Sequence, residues 1–227
     1  MDPWPFLLFG GLVLVFISVV LVGWHLEKKR REAFRAFATA AGWTYQPEKD
    51  PAAARSYAFL RHFSQGDNRY LHHRFRGEFS GRAFDLFEYH YQVTSGAGKN
   101  RRTTHYHFRA AVSPLPRAFP ELVISPENFL DRVAAVFGFD DIDFESAEFS
   151  RTFKVKSPDR KFAYDVIHPL MMEWLMRRTG TTVEIEGNHL AVIDKGTLDI
   201  PHIEPLLAFM AGIHERLPGY LLTENQT

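Results

Sequence analysis

The sequence predicts an α+β protein: an N-terminal transmembrane helix, then an antiparallel-sheet-containing domain with packed helices, divisible into two lobes. Three observations predict it. Phe6 to Val22 is apolar apart from Gly10, Gly11 and Ser18, and Trp4 and Trp24 flank the run. With those flanks it is about 20 residues long, which is what a helix needs to cross roughly 30 Å of hydrocarbon. Aromatic strand patterns then pair around Gly81 with the short spacing of hairpins. Finally, amphipathic helical patterns collect in the C-terminal part, away from any repeating strand–helix–strand unit, which favours α+β over a parallel sheet.

The apolar run reads as an uncleaved span. A secretory signal begins with basic residues and ends at a small-residue cleavage site. Here Met1-Asp2-Pro3 has no basic side chain, no Ala-x-Ala closes the run, and Lys28, Lys29, Arg30, Arg31 and Arg35 follow it. The excess of basic residues after the span predicts an outward N-terminus and a cytoplasmic domain in a cell membrane, crossed once. The absence of cysteine fits a reducing compartment and a disulfide-free outer domain equally. Lysine plus arginine equal aspartate plus glutamate at 27 each, which gives no support for a nucleic-acid partner.

Residues 1–25 are thus the anchor and 26–42 a juxtamembrane helix, with Ala33, Phe34, Phe37, Ala38 and Ala41 at helical spacing. Phe34 and Phe37 either dip into lipid or pack on the domain, and packing is the simpler reading. A first lobe over 43–138 opens with the proline-marked stretch Pro47–Ala54. Tyr70–Phe79 and Arg82–Val93 form strands around Gly81, and Phe84 and Leu86 fall on the face opposite Phe87, Tyr89 and Tyr91. That second strand should be covered on both sides. Thr94–Asn100 is a glycine-rich loop. Arg102–Val112 is the third strand, with Tyr106, Phe108, Ala110 and Val112 on one face and Pro114 and Pro116 ending it.

A strand–cap–helix unit is read twice. Glu121–Ile124 leads through Ser125-Pro126-Glu127 to the helical pattern Phe129, Leu130, Val133, Val136 and Phe137, closed by Gly138. In the second lobe, 139–222, the strand Phe149–Val155 leads through Ser157-Pro158-Asp159 to another helix. Serine caps, proline suits the first turn and the acid favours the positive helix end. Pro169 should break that helix near His168. Thr181–Glu186 and His189–Ile193 read as a hairpin around Gly187-Asn188. Ile203, Leu206, Leu207, Met210, Ile213 and Leu217 mark the last helix, and 223–227 a frayed tail. The packing patterns downstream of Ala41 read as self-sufficient.

Chemistry-bearing motifs are sparse. His105 and His107 share a strand face and His90 could sit opposite, a set able to hold zinc with an open position. The same face carries Arg101, Thr103 and Arg109, which reads as a solvated surface whose cations oppose a metal, so no metal and no cofactor are expected and His90, His105 and His107 remain weak candidates. His72 and His73 are expected on opposite strand faces. Gly96-Ala97-Gly98-Lys99 lacks P-loop spacing, Asp140, Asp141, Asp143 and Glu145 lack the pattern of a calcium loop, and no G-x-S-x-G elbow exists.

Gly81 to Tyr91, Glu148 to Ser157 and Ala163 to Met172, with their aromatic strands and proline-broken helix, resemble a bacterial family of membrane-anchored domains of unknown function. The resemblance implies one or more N-terminal spans joined to an α+β domain, and no catalytic residues. The expected function is that of a membrane-tethered cytoplasmic domain for protein binding or scaffolding. Its partners would be the bilayer and a membrane protein or a second copy, bound through Phe87, Tyr89, Tyr91, Lys99, Arg101 and Arg109. The alternative is a membrane-associated, hydrolase-like enzyme with a site near His90, His105 and His107.

Overall fold

The computed structural model describes residues 4–127 and 140–223. Helix α1 (Trp4–Ala41) runs without a break from the apolar segment into the domain. Among the described residues it is the one helix long and apolar enough to cross a bilayer. Leu12, Val15, Phe16 and Val19 are exposed, whereas Phe34 and Ala38, on the same helix, are only 2% exposed. Phe34 meets Tyr45 and Phe75 edge-on at ring separations of 5.7 and 5.3 Å, so it packs on the domain, and Phe37 meets Trp43 at 5.7 Å.

One six-stranded sheet forms the frame. Strands β1 (Thr44–Gln46), β2 (Asp67–Phe79), β3 (Arg82–Ser95) and β4 (Arg102–Pro126) are antiparallel neighbours in that order. The β2–β3 hairpin turns through Ser80 and Gly81, both at positive φ (51° and 72°), as a tight turn of matching twist requires. Beyond its pairing with β3, the far part of β4 pairs with β5 (Phe153–Lys156), and its other edge pairs with β6 (Thr181–Lys195).

Three expectations fail here, each for a topological reason. Pro114 and Pro116 do not end the third strand: β4 continues to Pro126. Between its pairing with β3, which stops at Val112, and with β5, which starts at Val123, one edge of β4 has no strand partner among the described residues, and prolines are tolerated there. Gly187 does not turn a hairpin. It lies within the single strand β6 at a positive φ of 54°, opposite Phe119, where the β4–β6 register shifts. Phe149–Val155 is not all strand: Ser146 caps α3 (Ala147–Thr152), accepting from the N–H of Phe149, and only the last part enters β5.

The Ser-Pro-Asp cap also works differently. Asp159, not Ser157, caps α4 (Arg160–Val166) by accepting from the N–H of Phe162 at 2.9 Å, while Ser157 Oγ accepts from Asp159 N–H. The break before Pro169 occurs as expected, with His168 extended at ψ 168° before α5 (Pro169–Leu175). The helical pattern Phe129–Phe137 lies outside the described residues, as do residues 224–227 of the tail. Asp50 caps the short α2 (Pro51–Ser56).

Two cores flank the sheet. The larger lies between the sheet and α1, α4, α5 and α6 (Ile200–Arg216), and takes Phe34, Phe75, Leu86, Ile124, Phe162 and the whole predicted face of α6. The smaller lies on the other face, under α2 and the 3-10 turn Arg61–Ser64, and takes Leu60, Phe63, Phe87, Tyr89 and Phe108. Residues Phe84 to Tyr91 are all buried, so β3 is covered on both sides. A closing helix α7 (Gly219–Leu222) ends the described chain. Close approach fixes two glycines: a Cβ on Gly77 would meet Trp43 at 2.3 Å, and one on Gly212 would meet Trp174 at 2.1 Å.

Candidate functional site

The site grows from register. In the antiparallel ladder His72 lies opposite Glu88, and Glu88 opposite Arg109. One step along, Tyr70 lies opposite His90, and His90 opposite His107. Side chains two apart on a strand share a face, so His72, Glu88, His90, His105 and His107 face the same side. It is the side on which α1 packs, because Phe34 of α1 is in the same core as Leu86.

His72 and His73 do not take opposite faces. The register shifts between His72 and Phe75, and His73 adopts a positive φ of 48°. This bulge adds one residue and turns His73 to the α1 side, its ring 4.7 Å from that of His72. His73 Nδ1 shares a 2.7 Å hydrogen bond with the Tyr45 hydroxyl, and its Nε2 lies 3.3 Å from Glu27 Oε1. Burial and the nearby Arg30 pull the His73 imidazole down to about 4, so it is neutral at neutral pH.

Glu88 is the centre, 1% exposed. Its two oxygens are used differently. Oε2 accepts from Arg30 Nη2 at 2.6 Å and from the N–H of Leu198 at 3.0 Å. Oε1 lies 3.0 Å from His72 Nε2 and 3.3 Å from His107 Nδ1. Neither contact has hydrogen-bond direction: among the described residues both nitrogens are buried polar atoms without a hydrogen-bond partner. Two imidazole nitrogens and a carboxylate oxygen thus lie within 4.8 Å of one another. Burial alone would raise the Glu88 carboxyl, but the His72 imidazole, Arg30 and the Leu198 N–H outweigh it and bring it to about 2.

His90 stands beside this set. Its ring stacks on Tyr70 at 4.5 Å and lies 4.9 Å from that of His107. Its Nε2 and His105 Nδ1 are hydrogen-bonded at 3.0 Å, and its Nδ1 bonds the carbonyl of Asn68. Burial lowers its pKa. The structure therefore brings His90, His105 and His107 together, but places His107 with His72 and Glu88, and His90 with His105.

The expected cation repulsion is answered within the fold. Arg109 lies 3.5 Å from Asp194 and donates to the Thr197 carbonyl, and Arg101 is exposed on the turn beyond β3. Phe87, Tyr89 and Tyr91, expected at a binding surface, are buried in the smaller core at 0%, 0% and 5% exposure, because the aromatic face of β3 is the one α2 covers. Lys99 lies in the 3-10 turn Gly98–Asn100, and its side chain is outside the described residues.

Two imidazoles and one carboxylate are the donor set that binds zinc or ferrous iron with coordination positions left open. Glu88 also has the outer support that ligating carboxylates have, since Arg30 and Leu198 fix its second oxygen. Sequence reading weighed His107, set His72 below it because His72 and His73 were expected on opposite faces, and passed over Glu88. The one signal for Glu88 was an acid at even spacing from His90 inside an otherwise aromatic strand. Arg30 reaches the site from sequence-distant α1.

Over 85% of this chain and 96% of the other, the fold is similar to the crystal structure of the mycobacterial trehalose monomycolate transport factor A, TtfA, with a TM-score of 0.57 at 11% sequence identity. At that identity the likeness is one of fold. No family model matches the chain, and no curated protein matches its sequence.

Proposed function

We propose that this protein is a membrane-anchored domain that binds a divalent transition metal ion of the zinc class through His72 Nε2, Glu88 Oε1 and His107 Nδ1, with hydrolase-like chemistry at that centre. The observation that carries this reading is the convergence of two buried imidazole nitrogens, neither hydrogen-bonded, on one carboxylate oxygen. A bound metal would supply a Lewis acid and a water of lowered pKa at its open positions. His90, next to His107, is placed by its 3.0 Å hydrogen bond to exchange a proton with His105.

The reading places the metal close to the bilayer. α1 is continuous, and Arg30 is six residues past Trp24, about 9 Å along a helix. We read the apolar part of α1 as the anchor, with the N-terminus outside and the domain in the cytoplasm, because the basic residues cluster after the span.

The test is metal titration of the full chain in detergent after chelation. About one equivalent of zinc should bind, and His72→Ala/His107→Ala and Glu88→Gln should each lose it while keeping a cooperative melt. Wild-type protein that binds no zinc, ferrous iron or manganese refutes the reading.

A second reading rests on the fold likeness to a transport factor. In it the domain acts by docking a membrane-protein partner or a second copy at the inner face of the bacterial membrane. Photo-crosslinking from the exposed sheet edge that captured one discrete partner, together with unchanged capture in the metal-site variants, would favour it.

A further inference from the structure

The chain between Glu88 and Glu121 contains no acidic residue, although the whole chain is charge-balanced. The middle of that stretch is the β3–β4 hairpin, whose last pair is Ser95 with Arg102. Its tip is exposed: Gly96, Ala97, Gly98, Asn100, Arg101 and Arg102 all face solvent, and Val93 is 41% exposed. Lys99, Arg101 and Arg102 make it basic, and among the described residues Arg101 and Arg102 form no ion pair. Gly96 sits at a φ of 79°, and a Cβ there would strike the carbonyl oxygen of Asn100 at 2.4 Å.

The direction of the hairpin follows from contacts. Glu27 meets His73, Phe34 meets Phe75, and Trp43, just past α1, meets Gly77. α1 and β2 therefore run the same way, and antiparallel β3 runs back toward the Trp24 end of α1. Arg30 is level with Glu88, to which it is bonded. From Arg30 to Trp24 is about 9 Å along the helix. From Glu88 to Ser95 is seven residues, about 23 Å along a strand, and about 12 Å in projection even for a strand inclined at about 60° to the helix. The tip thus reaches the level of Trp24, where an aromatic anchor marks the headgroups.

We propose that the hairpin tip, Ser95 to Arg102, is a second membrane contact that docks on the anionic phospholipid headgroups of the bilayer that α1 enters. The inference rests on the reading of α1 as an anchor and is independent of the metal. Lys99, Arg101 and Arg102 supply the attraction to a negative surface, and Lys28 and Lys29, exposed on α1, add to the same zone. Asp67 begins β2 at this end, with Arg69 two residues away. Two attachment points would hold the domain at a fixed tilt and keep His105 and His107 beside the lipid surface.

The chain lacks cysteine, so single-cysteine variants of the full protein accept one environment-sensitive fluorophore each. The labels are placed at Ala97→Cys, at Glu215→Cys as a distal control, and at Phe16→Cys within the apolar helix. Each is reconstituted in phosphatidylcholine vesicles with and without phosphatidylglycerol, carrying a headgroup-attached quencher. The label at 97 should be quenched at least about threefold more when phosphatidylglycerol is present, and high salt should reverse this. Adding Lys99→Glu, Arg101→Glu and Arg102→Glu should abolish the difference. No greater quenching at 97 than at 215, or quenching unchanged by the triple reversal, overturns the proposal. Release by inorganic phosphate at constant ionic strength also overturns it, since a soluble phosphate would then be the ligand. The label at 16 separates the two readings: its shielding in both vesicle types keeps the anchor whatever the hairpin does.

Discussion

The guanidinium of Arg30 lies 2.6 Å from Glu88 Oε2, joining the helix that carries the apolar segment to the middle of the sheet. Arg30 Nη2 also donates to the Leu198 carbonyl, and Glu88 accepts from the Leu198 N–H, so three separate segments close on one carboxylate. Glu88 is almost fully buried while Arg30 is partly solvated. Removing the arginine therefore leaves a buried acid short of a partner, and removing the acid leaves a cation that water can reach.

Arg30→Gln should accordingly destabilise the metal-free protein by about 3 kcal/mol, near the range for breaking a buried pair. Glu88→Gln should cost less. If Glu88 Oε1 is a ligand, zinc restores part of the melting temperature of Arg30→Gln by neutralising the carboxylate, and does not do so for Glu88→Gln. Thermal melts of the four combinations, with and without zinc, read this directly.

The second expectation concerns where a soluble fragment must begin. Sequence patterns make the region after Ala41 look self-sufficient, but the structure places Arg30, Phe34 and Ala38 in the domain. Loss of a buried phenylalanine alone costs about 3–5 kcal/mol. A fragment starting at His25 should melt cooperatively, and one starting at Ala41 should not. Phe34→Ala in the longer fragment should lower its melting temperature. A sharp melt of the Ala41 fragment would show that α1 packs without stabilising.

What was legible in the sequence was local. The Gly81 hairpin, the break before Pro169 and the buried face of α6 each depend on residues within a few positions of one another, and local sterics decide them. The joint face of His90, His105 and His107 followed from strand alternation alone. The remainder depended on neighbours remote in sequence. Pro114 and Pro116 look like terminators until β4 is seen to lack, among the described residues, a strand partner on one edge there. Gly187 looks like a turn until β6 is seen to pair with β4 on both sides of it, across a shift of register. The bulge at His73 turns two histidines to one side, and nothing in the pair itself signals it. Glu88 was hidden among aromatics, and its partner Arg30 comes from an element that reads as a membrane stalk.

Membrane orientation is open to chemical labelling because the chain has no cysteine. Asn100→Cys is exposed on the hairpin turn. In intact cells an impermeant maleimide should leave it unlabelled, and disruption of the membrane should expose it. Labelling of intact cells would place the domain outside and reverse the reading drawn from Lys28 to Arg35.

Stability should fall on both sides of a mildly acidic optimum. Glu184 is 3% exposed on β6, where its carboxylate accepts from the N–H of His62 at 3.0 Å, and burial pushes its pKa from 4.5 up to about 8. Between those values the folded state holds a proton that the unfolded state has released, so stability falls as pH rises through the window and levels off above about 8. On the acid side, burial lowers His62 to about 3 and His214 to about 4, and His214 is held by Ser113 at 2.5 Å. The unfolded chain binds protons at these residues below about 6.5 while the folded chain does not, so stability also falls as pH drops from there toward the folded values. Glu184→Gln keeps an oxygen to accept from His62 and removes the ionisation. It should raise stability at pH 8 by on the order of 3 kcal/mol and change little near pH 5. Denaturant midpoints of wild type and variant across that range give the comparison. A wild-type profile that does not fall between about pH 6.5 and 8, or a variant that gains nothing at pH 8, would show Glu184 ionised in the folded state at neutral pH.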